Sequence, residues 1–184
     1  MVAVTPRILL SALLGLACGP GFAQALDTAR SRIDFDLHTR IGSQVRGQFP
    51  LAEGRVDTLA DGRRQVHMRL DARGLRIGSS DYYTRLARGP ALFDVERYPA
   101  IEFTSDPYPA TFAHVGGVME GVLRMHGVEH RERFELAAAT CTRPGYDCPI
   151  LASGRVSRDD YGLDGWRWAL ADRVRFQLNV LFVD

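Results

Sequence analysis

The stretch HGVEH at residues 126–130 is the part of this sequence that comes nearest to spelling out a reaction. H-x-x-E-H is a zinc-hydrolase signature. Its chemistry needs both histidines on one helical face, four residues apart, with the glutamate beside the metal. Here the five residues join two strand-like patterns and include Gly127 and β-branched Val128, so a turn is expected instead. A lipid-modifying hydrolase using His126 and His130 is therefore kept only as an alternative. The remaining histidines, His38, His67 and His114, show no ligand spacing, and His38 and His67 alternate outward from apolar neighbours. Asp159-Asp160 suggests paired carboxylates, but adjacent strand residues face opposite sides, so a loop or strand-end role fits better. G-x-S-x-G, a phosphate loop and a Cys-His pair are all missing from the sequence. No catalytic residue, metal site or cofactor is assigned.

Two cysteines carry a different chemistry. Cys141 and Cys148 bracket TRPGYD, whose Pro144-Gly145 is a turn signal that brings the two ends together. The third, Cys18, sits in an N-terminal segment with Arg7, the apolar run ILLSALLGLACG and an A-x-A sequence at Ala23-Gln24-Ala25. That combination reads as a secretory signal over residues 1–25, too short in its apolar core for a stable membrane span. Residues 26–184 then form the mature domain, expected in the periplasm. A lipidated Cys18 is the alternative, disfavoured by Gly15 where lipoprotein signals usually carry leucine. In an oxidising compartment Cys141 and Cys148 are expected to pair as a disulfide. A redox or metal pair is the other reading, without C-x-x-C spacing to support it.

The elements that must position these groups are mostly strands. Ile33, Phe35 and Leu37 alternate with Asp34, Asp36 and His38, and Val66, Met68 and Leu70 alternate with polar residues. Met119, Gly121, Leu123 and Met125 make a third row, and Val174, Phe176, Leu178, Val180 and Phe182 a fourth. Period-two alternation marks half-buried antiparallel strands with one apolar face. Further strands are expected near 43–57, 99–106, 128–138 and 150–158, about eight in all. One segment looks helical: Ser79 or Ser80 caps it, Asp81 suits its first turn and Gly89-Pro90 ends it. The expected fold is an all-β, closed eight-stranded antiparallel barrel with one short covering helix; a β-sandwich is the alternative. All 23 basic residues are arginine and 22 residues are acidic, so the charge balance makes no case for nucleic acid or an anionic membrane.

The segment LARGPALFDVERYPAIEFTS at 86–105 resembles the pattern of YceI-like proteins, with VRGQF (45–49) before it and GVLRMHGVEH (121–130), VSRDDYGL (156–163) and the D-x-V-x-F strand (172–176) after it in order. The resemblance spans residues 31–182. It departs at Tyr83-Thr84, where family members commonly carry Arg-Asp, and in the cysteine loop. It implies an extended lipocalin-like barrel in the periplasm, holding an isoprenoid-type lipid or a quinone-like ligand. The tail would lie against Phe35, Leu37, Met68, Leu70, Phe103, Leu123, Met125, Phe176 and Leu178. The helix at 80–88 would be the lid, so the head group would meet Tyr82, Tyr83, Arg85 and Arg88, the last matching a family arginine. Arg158 matches a second family position. The plainer reading pairs these two arginines with carboxylates such as Asp94 or Asp159. FDVERYP would turn the chain from the lid back to the wall, with Pro99 opening a strand, where its missing N–H matters least.

Overall fold

The computed structural model describes residues 23–50 and 52–184. The expected signal, up to residue 22 and including Cys18, lies outside the described residues. Its last three residues are described and form an edge strand, β1 (Ala23–Ala25). The remaining strands are β2 (Arg32–Thr39), β3 (Gln44–Gln48), β4 (Ala52–Thr58), β5 (Arg64–Asp71), β6 (Arg76–Ile77), β7 (Ala100–Ser105), β8 (Gly117–Met125), β9 (Val128–Leu136), β10 (Ile150–Ser157) and β11 (Leu170–Val180). Two helices join them, α1 (Asp81–Arg88) and α2 (Phe112–Val115).

All the strands join one antiparallel sheet in the order β1-β4-β5-β7-β8-β9-β10-β11-β2-β3-β6. The sheet curls into an extended, lipocalin-like half-barrel. The expected closure is only partial, because the terminal strands β1 and β6 do not pair with each other. At one end the chain just after β1 ties back onto the tail of β11: Leu26 bridges Phe182, and Val183 N donates to Ala25 O at 2.9 Å. Near β6 the wall is completed by α1, with Thr84 Oγ1 accepting from Ile77 N at 3.0 Å.

The strand count of about eight becomes eleven for three physical reasons. The expected strand at 43–57 is cut by Phe49-Pro50, since proline removes a ladder donor, and yields β3 and β4. β6 is two residues long and exists only by pairing with Gly47 and Gln48, too short to show a period. β1 falls in the stretch assigned to the signal. The second helix, α2, has four residues, too few for a helical pattern to register.

Alternation places the core inside. β8 is buried at every second residue from Met119 to Met125, and β2 buries Ile33, Phe35 and Leu37. Large rings lie flat against the wall where a partner strand has glycine. Phe35 pairs with Gly47 and Phe134 with Gly154, and a Cβ at either glycine would collide with the opposing ring. α1 begins as expected, with Ser80 Oγ accepting from Tyr83 N, and ends at Gly89. The chain then turns tightly. Asp94 adopts a left-handed backbone (φ 42°), Val95 N donates to Arg88 O and Tyr98 N to Asp94 O. Pro99 immediately precedes β7.

Candidate functional site

The half-barrel encloses two apolar chambers that share one side chain, Phe176. The smaller, about 110 Å³, lies among β4, β5, β7, β8 and the end of β11. The larger, about 470 Å³, lies beneath α1, between β2, β3 and the start of β11. The boundary is aromatic: the Phe35 ring sits 5.3 Å from Phe49, 6.1 Å from Phe176 and 6.5 Å from Phe93. Only the larger chamber reaches the several-hundred-Å³ range typical of small-molecule sites.

The structure brings the nine residues expected against a tail to this interior. Met68, Leu70, Phe103, Leu123 and Leu178 line the smaller chamber, Phe35, Leu37 and Met125 the larger, and Phe176 both. Strand alternation accounts for this, because residues two apart share a face.

The residues expected at the polar end fall in three places. Tyr83 lines the larger chamber and is 57% exposed, so it stands at the mouth. Tyr82 and Arg85 are exposed on α1 and do not line the chamber. Arg88 is half-buried, its Nε donating to Leu75 O at 2.9 Å. Arg158 is 5% exposed and is the only charged side chain lining the larger chamber among the described residues. Its Nη2 donates to Leu163 O at 2.6 Å and to Gly165 O at 2.7 Å, while Nη1 is buried without a partner. Burial draws the guanidinium pKa below its ordinary value. Neither arginine pairs with the carboxylates suggested for them. Both bond carbonyls, and Asp159 pairs with Arg167.

Leu86 and Phe93 line this chamber from α1 and the turn after it. Sequence reasoning missed the loops that complete it, which bring Ile41 from the β2–β3 turn, and Leu163 and Trp166 from the loop before β11. These segments are short and irregular, so no period announces them. The sequence WRW at 166–168 was the one available signal, two large aromatics in an otherwise polar loop.

HGVEH folds as a two-residue hairpin. Met125 pairs with Val128, and His126 and Gly127 both have positive φ (52° and 79°), as a type I′ turn requires. The His126 ring packs at a tilt against Tyr98 and its Nδ1 donates to Tyr161 O, while the His130 ring packs edge-on against Tyr161. No cluster of three metal-ligating side chains occurs among the described residues. Asp159-Asp160 opens a 3₁₀ turn rather than forming an acid–base pair. Cys141 and Cys148 are disulfide-bonded, and their loop packs on the end of the barrel, where Phe182 N donates to Gly145 O at 2.7 Å.

Solved structures share this fold at low identity. BcnA of Burkholderia cenocepacia is 18% identical, with 84% of this chain and 98% of that one covered and a TM-score of 0.66. A polyisoprenoid binding domain from Saccharophagus degradans, implicated in plant cell wall breakdown, is 14% identical over 86% and 97% of the two chains, also at 0.66. The Campylobacter jejuni YCEI protein is 17% identical over 75% and 84%, at 0.55. No curated protein shows significant sequence similarity. The YceI-like domain model matches residues 24–182, from β1 to the bridge that ties back the end of β11, and so the chain belongs to the YceI-like family.

Proposed function

We propose that this protein is a non-catalytic binding or carrier protein for a long-chain amphiphile, an isoprenoid-type lipid or a quinone-like molecule, acting in the periplasm. The observation that carries the reading is the larger chamber itself. It is apolar, of ligand size, and contains one buried charged group, Arg158, with a donor unused. Each methylene withdrawn from water contributes about 0.8 kcal/mol, so a chain is held without specific polar chemistry. The relative from Saccharophagus degradans is described as polyisoprenoid-binding, which supports the same ligand class here.

In this reading the tail fills the larger chamber and passes Phe176 toward the smaller one. The head lies within reach of Arg158 Nη1, because an unpaired buried polar group costs free energy until an acceptor meets it. A phosphate, carbonyl or phenol oxygen satisfies that requirement, and arginine's planar fork suits each.

Met125→Trp tests the reading. Met125 is buried in the lining of the larger chamber, and an indole there occupies the volume proposed for the tail. Titration with a fluorescent polyprenyl probe is expected to show at least a tenfold weaker affinity for the variant, with its thermal unfolding still cooperative. Unchanged affinity in a folded variant contradicts the interior site.

A further inference from the structure

The mouth of the larger chamber gathers the exposed large aromatics of the described residues, Tyr82, Tyr83 and Trp168, whereas the exposed apolar side chains elsewhere are aliphatic. Ile41 is 90% exposed, Trp168 79%, Tyr82 59% and Tyr83 57%. They come from three separate segments: the β2–β3 turn, α1 and the loop before β11. The fold gathers them at one rim, because Ile41, Tyr83 and Trp166 all line that chamber. Trp168 stacks on Trp166 (centroids 6.1 Å, 17° between planes), and Tyr82 packs against Tyr83 at 5.5 Å. Arg40 N donates to Ala169 O at 2.8 Å, and the Arg40 side chain bonds Arg167 O, so turn and loop are tied together.

The loop is built to present these rings. Trp166 has φ 64°, a left-handed backbone that a bulky side chain adopts only at a cost. Arg158 supports the arrangement from below through Leu163 O and Gly165 O.

Charge is also unevenly placed. Over the whole chain, 23 arginines balance 22 acidic residues. The three segments at the mouth (39–46, 76–88 and 163–169) contain Arg40, Arg46, Arg76, Arg85, Arg88 and Arg167 but only Asp81 and Asp164. Among the described residues no carboxylate lies within ion-pair distance of Arg40, Arg46, Arg76 or Arg85. Aromatic rings favour the boundary between head groups and acyl chains, and arginines are drawn to anionic lipid beside it.

We propose that this rim docks on the surface of an anionic phospholipid bilayer, holding the open mouth of the larger chamber against the membrane. The proposal builds on the lipid-binding reading by naming where the ligand enters and leaves. The partner is the bilayer, and docking of a protein on the same rim is what a negative vesicle result would indicate.

The two tryptophans of the chain are Trp166 and Trp168, so tryptophan fluorescence, excited selectively at the red edge, reports on the rim alone. The purified protein would be mixed with sucrose-loaded phosphatidylcholine vesicles, with or without phosphatidylglycerol, and sedimented. The expected result is sedimentation with the anionic vesicles, with blue-shifted tryptophan emission that brominated lipid quenches. Arg76→Gln/Arg85→Gln is expected to lower partitioning onto anionic vesicles by about 30-fold, near fivefold per arginine, and to leave neutral vesicles little affected. Trp168→Ser, at a surface position whose loss does not threaten folding, is expected to weaken partitioning about tenfold. Protein that stays in the supernatant with both vesicle types overturns the proposal, as does wild-type sedimentation of both variants. Lipid extracted from the purified protein before vesicles are added separates the two claims. Stoichiometric lipid without sedimentation removes docking alone, and sedimentation without extracted lipid removes the carrier role alone.

Discussion

Tyr161 is fully buried, and its hydroxyl donates to Glu132 Oε1 at 2.9 Å. Burial lifts the Glu132 carboxyl above its ordinary value near 4.5, against the pull of that hydrogen bond, and nearby Asp160 adds to the lift. The same burial pushes the Tyr161 phenol far up. The folded state therefore holds the Glu132 proton more tightly than the unfolded chain does. Stability from this group is complete below the unfolded value and is lost as pH rises through the raised one. Glu132→Gln keeps an acceptor for Tyr161 and removes the titration. Chemical denaturation across acid to neutral pH is expected to show wild type losing stability relative to the variant as pH climbs from about 4.5; parallel curves would contradict the assignment.

Strands β2 and β3 show how a cavity wall is made from side chains of unequal size. Phe35 lies across Gly47, where a Cβ would sit 2.2 Å from the ring and 2.9 Å from Arg76 O. Neither the ring, pinned by Phe49 and Phe176, nor the backbone of β6 can retreat. Gly47→Ala is expected to destabilise by about 1–3 kcal/mol, the order for overpacking a filled site, read as a lower denaturation midpoint with an unchanged slope. A midpoint equal to wild type would mean the Phe35 ring moves freely into the chamber. The rows of β2, β5, β8 and β11 were legible in the sequence because each has one face in water and one in the interior. The break at Pro50, the two-residue β6 and the four-residue α2 were not, because pairing and packing define them rather than any repeating pattern. The same division holds at the site. Interior residues such as Leu123 and Phe176 followed from alternation, whereas Ile41, Leu163 and Trp166 belong to loops positioned by backbone bonds to distant segments. Arg158 was legible only through a family resemblance, and its carbonyl partners follow from the shape of the 163–165 loop.

At the scale of the whole molecule the barrel has two different ends. One is the aromatic mouth beneath α1. At the other, the Cys141–Cys148 loop and the Leu26–Phe182 bridge fasten the N- and C-terminal segments together. The protein is thus tied together at one end and open where its larger chamber meets solvent. Among the described residues no helix is long and apolar enough to cross a membrane. Whether this interior holds a lipid tail is open to direct measurement. The most direct measurement is native mass spectrometry of the protein purified without detergent from cells that produce it, followed by organic extraction and identification of the released mass. The expected result is a bound species near one per chain that yields a long-chain prenyl lipid or quinone and is lost in Met125→Trp. Protein at the mass of its sequence alone, with no lipid in the extract, would contradict it.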